Sequence, residues 1–285
     1  MHEPSLRTSR LAIAGGLAAA LVLTGAGFLL GRTTSPSAEP APSPKPVQVI
    51  VPHPPKVEAP RALSRADIIA LANSATNALV SGDILPSEVA AAAGKRFEIA
   101  LPFGCSGPSP EGSKDPLRWR YDAEKQTLRV YAAPSRWQAD DWGLAQAGRD
   151  GPTFEGFWLT RPWSSSDHCP QARGQAAALN GQPVTLPGQT LALAEILPKD
   201  GQRRERPYQT VQRMKAEDIS PGQSFRLRLI GRIDRLPDGP PIQCIQPSGI
   251  EQRPICLIAV SLDEIRIENP ETNASLATWS MRQAQ

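Results

Sequence analysis

The sequence predicts an α+β chain that is mainly β: an N-terminal transmembrane helix, a proline-rich spacer, a short helical segment, and an antiparallel β-rich ectodomain packed as a sandwich or small barrel. Three observations carry this. Leu11 to Leu30 contains no charge, amide or proline; nine prolines fall between residues 33 and 60; and period-two alternation dominates beyond residue 97.

About twenty apolar residues at roughly 1.5 Å rise each match a hydrocarbon core about 30 Å thick, and a helix satisfies its own backbone there. Nine residues of the stretch are Leu, Ile, Val or Phe. At about 0.3 to 0.6 kcal/mol each, they favour insertion by about 3 to 5 kcal/mol. A cleaved signal peptide has a shorter apolar run, about 7 to 15 residues, followed by a small-x-small site. Here the run ends in Leu29-Leu30-Gly31-Arg32 and continues into prolines, so an uncleaved anchor at 11–31 is expected. Arg7 and Arg10 precede it and Arg32 alone follows closely, which places the tail, residues 1–10, on the cytoplasmic side. Ala12, Gly16, Ala20 and Thr24 line one helix face, a spacing that permits close packing of two such helices into a homodimer.

Residues 32–61 cannot form a helix or a central strand, because proline fixes φ and removes donors; they are expected to be an extended spacer. In layout the first 60 residues resemble bitopic envelope proteins of the TonB energy-transducer and secretion-scaffold kind. This span, unlike theirs, carries no histidine.

Folded structure is expected from residue 62, as a helix plus β-rich domain over 62–198 and a second β-rich domain over 199–285. The strand count of the second is compatible with a small OB-like barrel. Ser64-Arg65-Ala66-Asp67 fits a capping box, Ile68, Leu71, Ala72, Ala75 and Leu79 have helical spacing, and Gly82 ends the helix. A second short helix is expected from Pro86 to Gly94. Phe97 to Leu101 reads as a strand. Leu117 to Tyr121 and Thr127 to Tyr131 form the clearest hairpin, with Leu117, Trp119 and Tyr121 facing one way and Arg118 and Arg120 the other. Further strands are expected at Gly156 to Thr160, Thr190 to Leu197, Tyr208 to Met214, Ser224 to Ile233, Ile242 to Ile245, Ile255 to Val260, Ile265 to Ile267 and Leu276 to Trp279.

The chain has 285 residues and a formal net charge of +3. Residues 1–60 hold five of its 31 Lys/Arg and three of its 28 Asp/Glu, which leaves 26 and 25 beyond them. So balanced an ectodomain has no global field to gather nucleic acid, and no nucleic-acid partner is expected. The four cysteines, Cys105, Cys169, Cys244 and Cys256, all follow the span. An even number on an exported domain points to disulfides. Of three possible pairings, Cys244 with Cys256 flanks one hairpin, and Cys105 with Cys169 follows by elimination. With no CxxC and only His168 among the three histidines in the folded part, neither metal nor cofactor is expected.

Five of the six tryptophans lie between residues 117 and 163, and RWQADDW sets Asp140 and Asp141 among them. Indoles beside carboxylates are what a glycan groove or a glycosidase requires. Trp137, Asp140, Asp141, Trp142, Trp158 and Trp163 are therefore the candidate binding residues, although tryptophans in a β core have the same composition. Ser164 to His168 contains the residue types of a hydrolase triad, but triads are assembled from separate segments, so the run reads as a polar loop before Cys169. Arg203, Arg204, Arg206, Arg213 and Lys215 form a basic cluster diluted by Glu205 and Glu217.

The expected function is a single-pass envelope protein of a bacterial-type inner membrane. Its periplasmic, disulfide-stapled domain serves as a scaffold or binding module for another envelope protein. The alternative is an anchored protein that binds or hydrolyses cell-wall glycan through the Trp/Asp region.

Overall fold

The computed structural model describes residues 61–144, 151–160, 165–169, 189–197, 207–220, 222–237 and 239–281. Contacts divide the chain into Met1–Glu58 and Ala59–Gln285, and every described residue belongs to the second unit. The expected tail, the span at 11–31 and the spacer up to residue 60 lie outside the described residues. No helix among the described residues is long and apolar enough to cross a membrane.

Helix α1 spans Arg65–Ser81. Its capping box is formed: the Ser64 hydroxyl accepts from the Asp67 N–H, and the Asp67 carboxylate accepts from the Ser64 N–H at 2.7 Å. The Ser64 N–H first, and then the Ser64 hydroxyl, which also donates to the carboxylate at 2.7 Å, hold the Asp67 carboxyl below its ordinary range, with Arg61 contributing. Ile68, Ala72 and Ala75 are buried, whereas Leu79 is 41% exposed and Ala78 takes the inward position in that turn. Gly82 ends the helix at φ 70°, the left-handed conformation that its missing side chain permits. Helix α2, Ser87–Ala90, is a single turn that continues as turns to Gly94, shorter than the alanine run implied.

Eleven strands follow: β1 Arg96–Phe103, β2 Leu117–Asp122, β3 Thr127–Ala132, β4 Ser135–Gln138, β5 Thr153–Thr160, β6 Gln189–Leu197, β7 Tyr208–Arg213, β8 Phe225–Ile233, β9 Ile242–Ile245, β10 Ile255–Glu268 and β11 Ser275–Ser280. Eight form a mixed sheet ordered β1-β8-β10-β6-β5-β4, with β9 and β11 also paired to β10. The other three form an antiparallel sheet, β2-β3-β7.

Strand β10 is the hub. Cys256 to Ala259 run parallel to Leu191–Ala194 of β6 and antiparallel to β9, while Val260 onward pairs antiparallel with β8 and then β11. The segments expected separately at Ile255 to Val260 and Ile265 to Ile267 are thus one strand, continued through a register shift between Leu262 and Glu264. Residues 62–198 and 199–285, expected as two domains, interleave instead. β6 lies beside β10, β8 beside β1, and β7 beside β3, so strands from both segments share each sheet. Within 199–285, β8 to β11 join the large sheet rather than an OB-like barrel, and the pairing order among the described residues is open, with β1 and β4 at its ends.

The predicted hairpin is present, with Leu117 opposite Ala132 and Trp119 opposite Val130. Its inner face closes over the large sheet: the Trp119 ring meets Phe225 edge-on at 5.5 Å, and Tyr208 of β7 lies 6.1 Å from Phe157 of β5. One core contains residues from both sheets and from α1, which is sandwich packing with a helix closing one flank. Gly104, half-buried, borders this core. At φ 69° it lies under Trp119, whose ring a Cβ would meet at 2.4 Å. Both expected disulfides are formed, Cys105 with Cys169 and Cys244 with Cys256. The second joins residues directly opposite on β9 and β10, with Cα atoms 4.1 Å apart.

On the outer face of the large sheet, Glu268 of β10 accepts from Arg226 Nε at 2.6 Å and Arg228 Nε at 2.8 Å, both from β8. Arg226 continues to Asn273 and Arg228 to Glu98. Arg226 and Glu268 are 5% and 4% exposed, so two adjacent strands are joined by a buried ionic group.

Candidate functional site

The candidate residues converge in part. β4 is short, but its pairing sets Trp137 opposite Phe154 of β5, and the next pairing, β5 with β6, sets Trp158 opposite Ala192. Alternation along the strands brings Trp137 and Trp158 to one face of the sheet. The chain then turns through a 3-10 helix, Ala139–Trp142, and lays Trp142 onto that face. The rings of Trp137 and Trp158 stand perpendicular at 5.0 Å, and Trp142 lies 6.1 and 6.2 Å from them. Such edge-to-face pairs are worth about 0.5–1.5 kcal/mol each beyond burial.

Beneath the indoles lie Ala192, Ala194 and Ala259, with Phe154, Leu236 and Leu257, a small core separate from the main one. Small side chains here leave room for three indoles. Gly156 is required beside them, because a Cβ would meet the Leu193 carbonyl oxygen at 1.9 Å. Trp142 is buried, and its Nε1–H has no acceptor among the described residues. Trp137 and Trp158 are half-buried and keep ring surface accessible.

The two carboxylates have different circumstances. Both are exposed, but Asp141 accepts from the Gln138 N–H at 2.8 Å and so caps the 3-10 turn. Trp163 lies outside the described residues. Trp119 belongs to the main core, 2% exposed, and is no part of this cluster.

The polar run before Cys169 caps a sheet edge. The Asp167 carboxylate accepts from the Ala100 N–H at 3.4 Å, and Arg65 donates to the Ala100 carbonyl at 2.9 Å. Leu63 bonds Arg96 and Glu98 farther along β1. The free edge of β1 is thereby occupied, and the Cys105–Cys169 bridge pins the loop that supplies Asp167. His168 is exposed; its backbone N–H donates to the Ser166 hydroxyl. Of the basic cluster, Arg203, Arg204 and Arg206 lie outside the described residues, and Lys215 pairs with Glu217 at 3.2 Å.

A charged row on the reverse face escaped the sequence reading. Arg136 of β4 donates to Glu155 of β5 at 2.7 Å, and Glu155 stands directly opposite Glu195 of β6, which accepts from the Leu262 N–H at 2.8 Å. The signal was available: a lone glutamate in each of two otherwise apolar strands, TFEGFWLT and QTLALAEIL. Among the described residues no three His, Cys, Asp or Glu side chains are grouped to hold a metal ion.

No protein-family model matches the chain, and no curated protein or solved structure matches it significantly.

Proposed function

We propose that the chain is a single-pass, membrane-anchored envelope protein with a cytoplasmic N-terminus, whose disulfide-stapled β-rich domain acts in the periplasm as a scaffold or binding module. The observation that carries this reading is the pairing of all four cysteines into two disulfides in a chain whose sequence begins with a membrane-length apolar stretch. Disulfides form and persist outside the reducing interior, and the staples hold a rigid surface on which a partner can dock. The test is cross-linking of the full chain in bacterial membranes followed by affinity recovery. Recovery of a defined envelope component supports the proposal. Recovery of none, with the purified protein turning over a cell-wall polymer, overturns it.

The indole trio favours a second reading, glycan binding at the Trp137 and Trp158 surface. Two half-buried indoles beside a buried third offer stacking area to a sugar at low entropic cost. With Asp141 engaged as a cap, we put this second reading forward as glycan binding. Co-sedimentation of the full chain with insoluble peptidoglycan tests it. Retention that Trp137→Ala and Trp158→Ala abolish without loss of fold supports glycan binding, and no retention of the unaltered chain sinks it.

A further inference from the structure

We infer that the outer face of the three-stranded sheet docks on an anionic phospholipid bilayer. Register places the side chains. Arg118 lies opposite Tyr131, which lies opposite Gln209; Arg120 opposite Arg129, opposite Val211; Asp122 opposite Thr127, opposite Arg213. With the alternate residues Leu117, Trp119, Leu128, Val130 and Tyr208 packed into the core, these nine form the opposite face.

Four of the nine are arginines. None of the four has a carboxylate partner among the described residues; Arg118 reaches only the Asp115 carbonyl and the Tyr131 ring, 4.6 Å from its guanidinium. The one acid in the rows, Asp122, is paired with Lys125 at 3.3 Å. Arg120 and Arg129 stand directly across from each other, an arrangement that costs stability unless an anion lies between or above them. Elsewhere Arg136, Arg226, Arg228 and Arg266 meet glutamates, whereas Arg96 of β1 and Arg232 of β8 face each other without a carboxylate partner among the described residues. The outer face of β2-β3-β7 gathers four guanidinium groups in three adjacent strands, the side chain best suited to bidentate phosphate contact.

The apolar residues among them select the occupant. Val211 is 50% exposed, and Tyr131 lies under Arg118. A sheet face mixing four arginines with an exposed valine matches a headgroup layer, where cations meet phosphates and aliphatics enter the boundary. An acidic polymer in solution would leave Val211 without a use. The inference rests on the anchored reading only in that a tether would hold this face near a bilayer.

The test uses the full chain with Gln209→Cys as its single free thiol, labelled with a polarity-sensitive fluorophore. It is reconstituted into vesicles of phosphatidylcholine alone or with added phosphatidylglycerol. A spectral shift that requires phosphatidylglycerol and disappears at high salt is expected. Arg120→Gln with Arg129→Gln should weaken docking about 25-fold, about five-fold for each charge, and Arg213→Gln alone about five-fold. Equal signals in both vesicle types, or variants that dock as the parent does, overturn the inference. So does a shift with soluble polyglutamate but none with phosphatidylglycerol, which assigns the face to an acidic polymer. Alkaline extraction of the same vesicles reports the anchor separately: release there overturns the anchored reading, and the lipid-dependent shift still decides the face.

Discussion

Replacing Glu268 by alanine removes the carboxylate that holds Arg226 and Arg228 together on β8. The guanidinium of Arg226 is then left buried, 6% exposed, with Asn273 as its remaining side-chain partner. Removing one member of a buried pair costs about 3–5 kcal/mol, because the remaining charge stays desolvated without compensation. The internal control is Glu98→Ala, which breaks the pair of Arg228 with a carboxylate that is 48% exposed and should cost about 0.2–1 kcal/mol. In a domain of this size each kcal/mol moves Tm by about 2–4 °C, so the first variant should melt about 6–20 °C lower and the second within about 4 °C of the parent. Thermal unfolding followed by tryptophan fluorescence measures both. Acid titration adds a sign. Burial raises the Glu268 carboxyl, but the bonds from Arg228 and Arg226 outweigh it and hold the group below its ordinary value. Its contribution is therefore complete above the unfolded value of about 4.3 and is lost as pH falls from there through the lower folded value. Glu268→Gln should flatten that acid limb. If Glu268→Ala melts no lower than Glu98→Ala, the buried ionic group does not hold β8 to β10 and the packing of this face is wrong.

Gly156→Ala should destabilise by about 3 kcal/mol in urea, because its Cβ would meet backbone that cannot yield, whereas Gly222→Ala, with open space around it, should stay within about 0.5 kcal/mol. Ser64→Ala removes the hydroxyl of the capping box and should cost about 1 kcal/mol, again read from the urea midpoint. Paired serine replacements of the disulfides should differ by loop length: about 4 kcal/mol for Cys105 with Cys169, 64 residues apart, against about 3 kcal/mol for Cys244 with Cys256, 12 apart. Equal losses from the two would show that loop closure in the unfolded chain is not the governing effect.

Local features were readable from sequence because local physics sets them. Ser64, Asp67 and Gly82 mark the ends of α1 by capping chemistry, and Leu117 to Tyr131 declares its hairpin through strict alternation. The disulfide pairing followed from one hairpin because Cys244 and Cys256 are register partners. The interleaving was not readable, since β6 meets β10 in parallel across a long sequence separation and both faces of Leu191–Ala194 are buried, which erases alternation. β10 read as two strands because the register shift after Leu262 breaks its period. β4, at four residues, is too short to signal itself, yet it brings Trp137 to Trp158. Composition pointed to the tryptophan region, but only the fold separates Trp119, a core residue, from the trio on the opposite face of the sheet.

The most direct test of the central proposal is thiol labelling of the full chain in intact bacterial cells, combined with alkaline extraction of their membranes. The expected result is a chain that stays with the membrane and whose four cysteines react with maleimide only after reduction. A chain released by alkali, with thiols that react before any reductant is added, would contradict the tethered, disulfide-stapled domain.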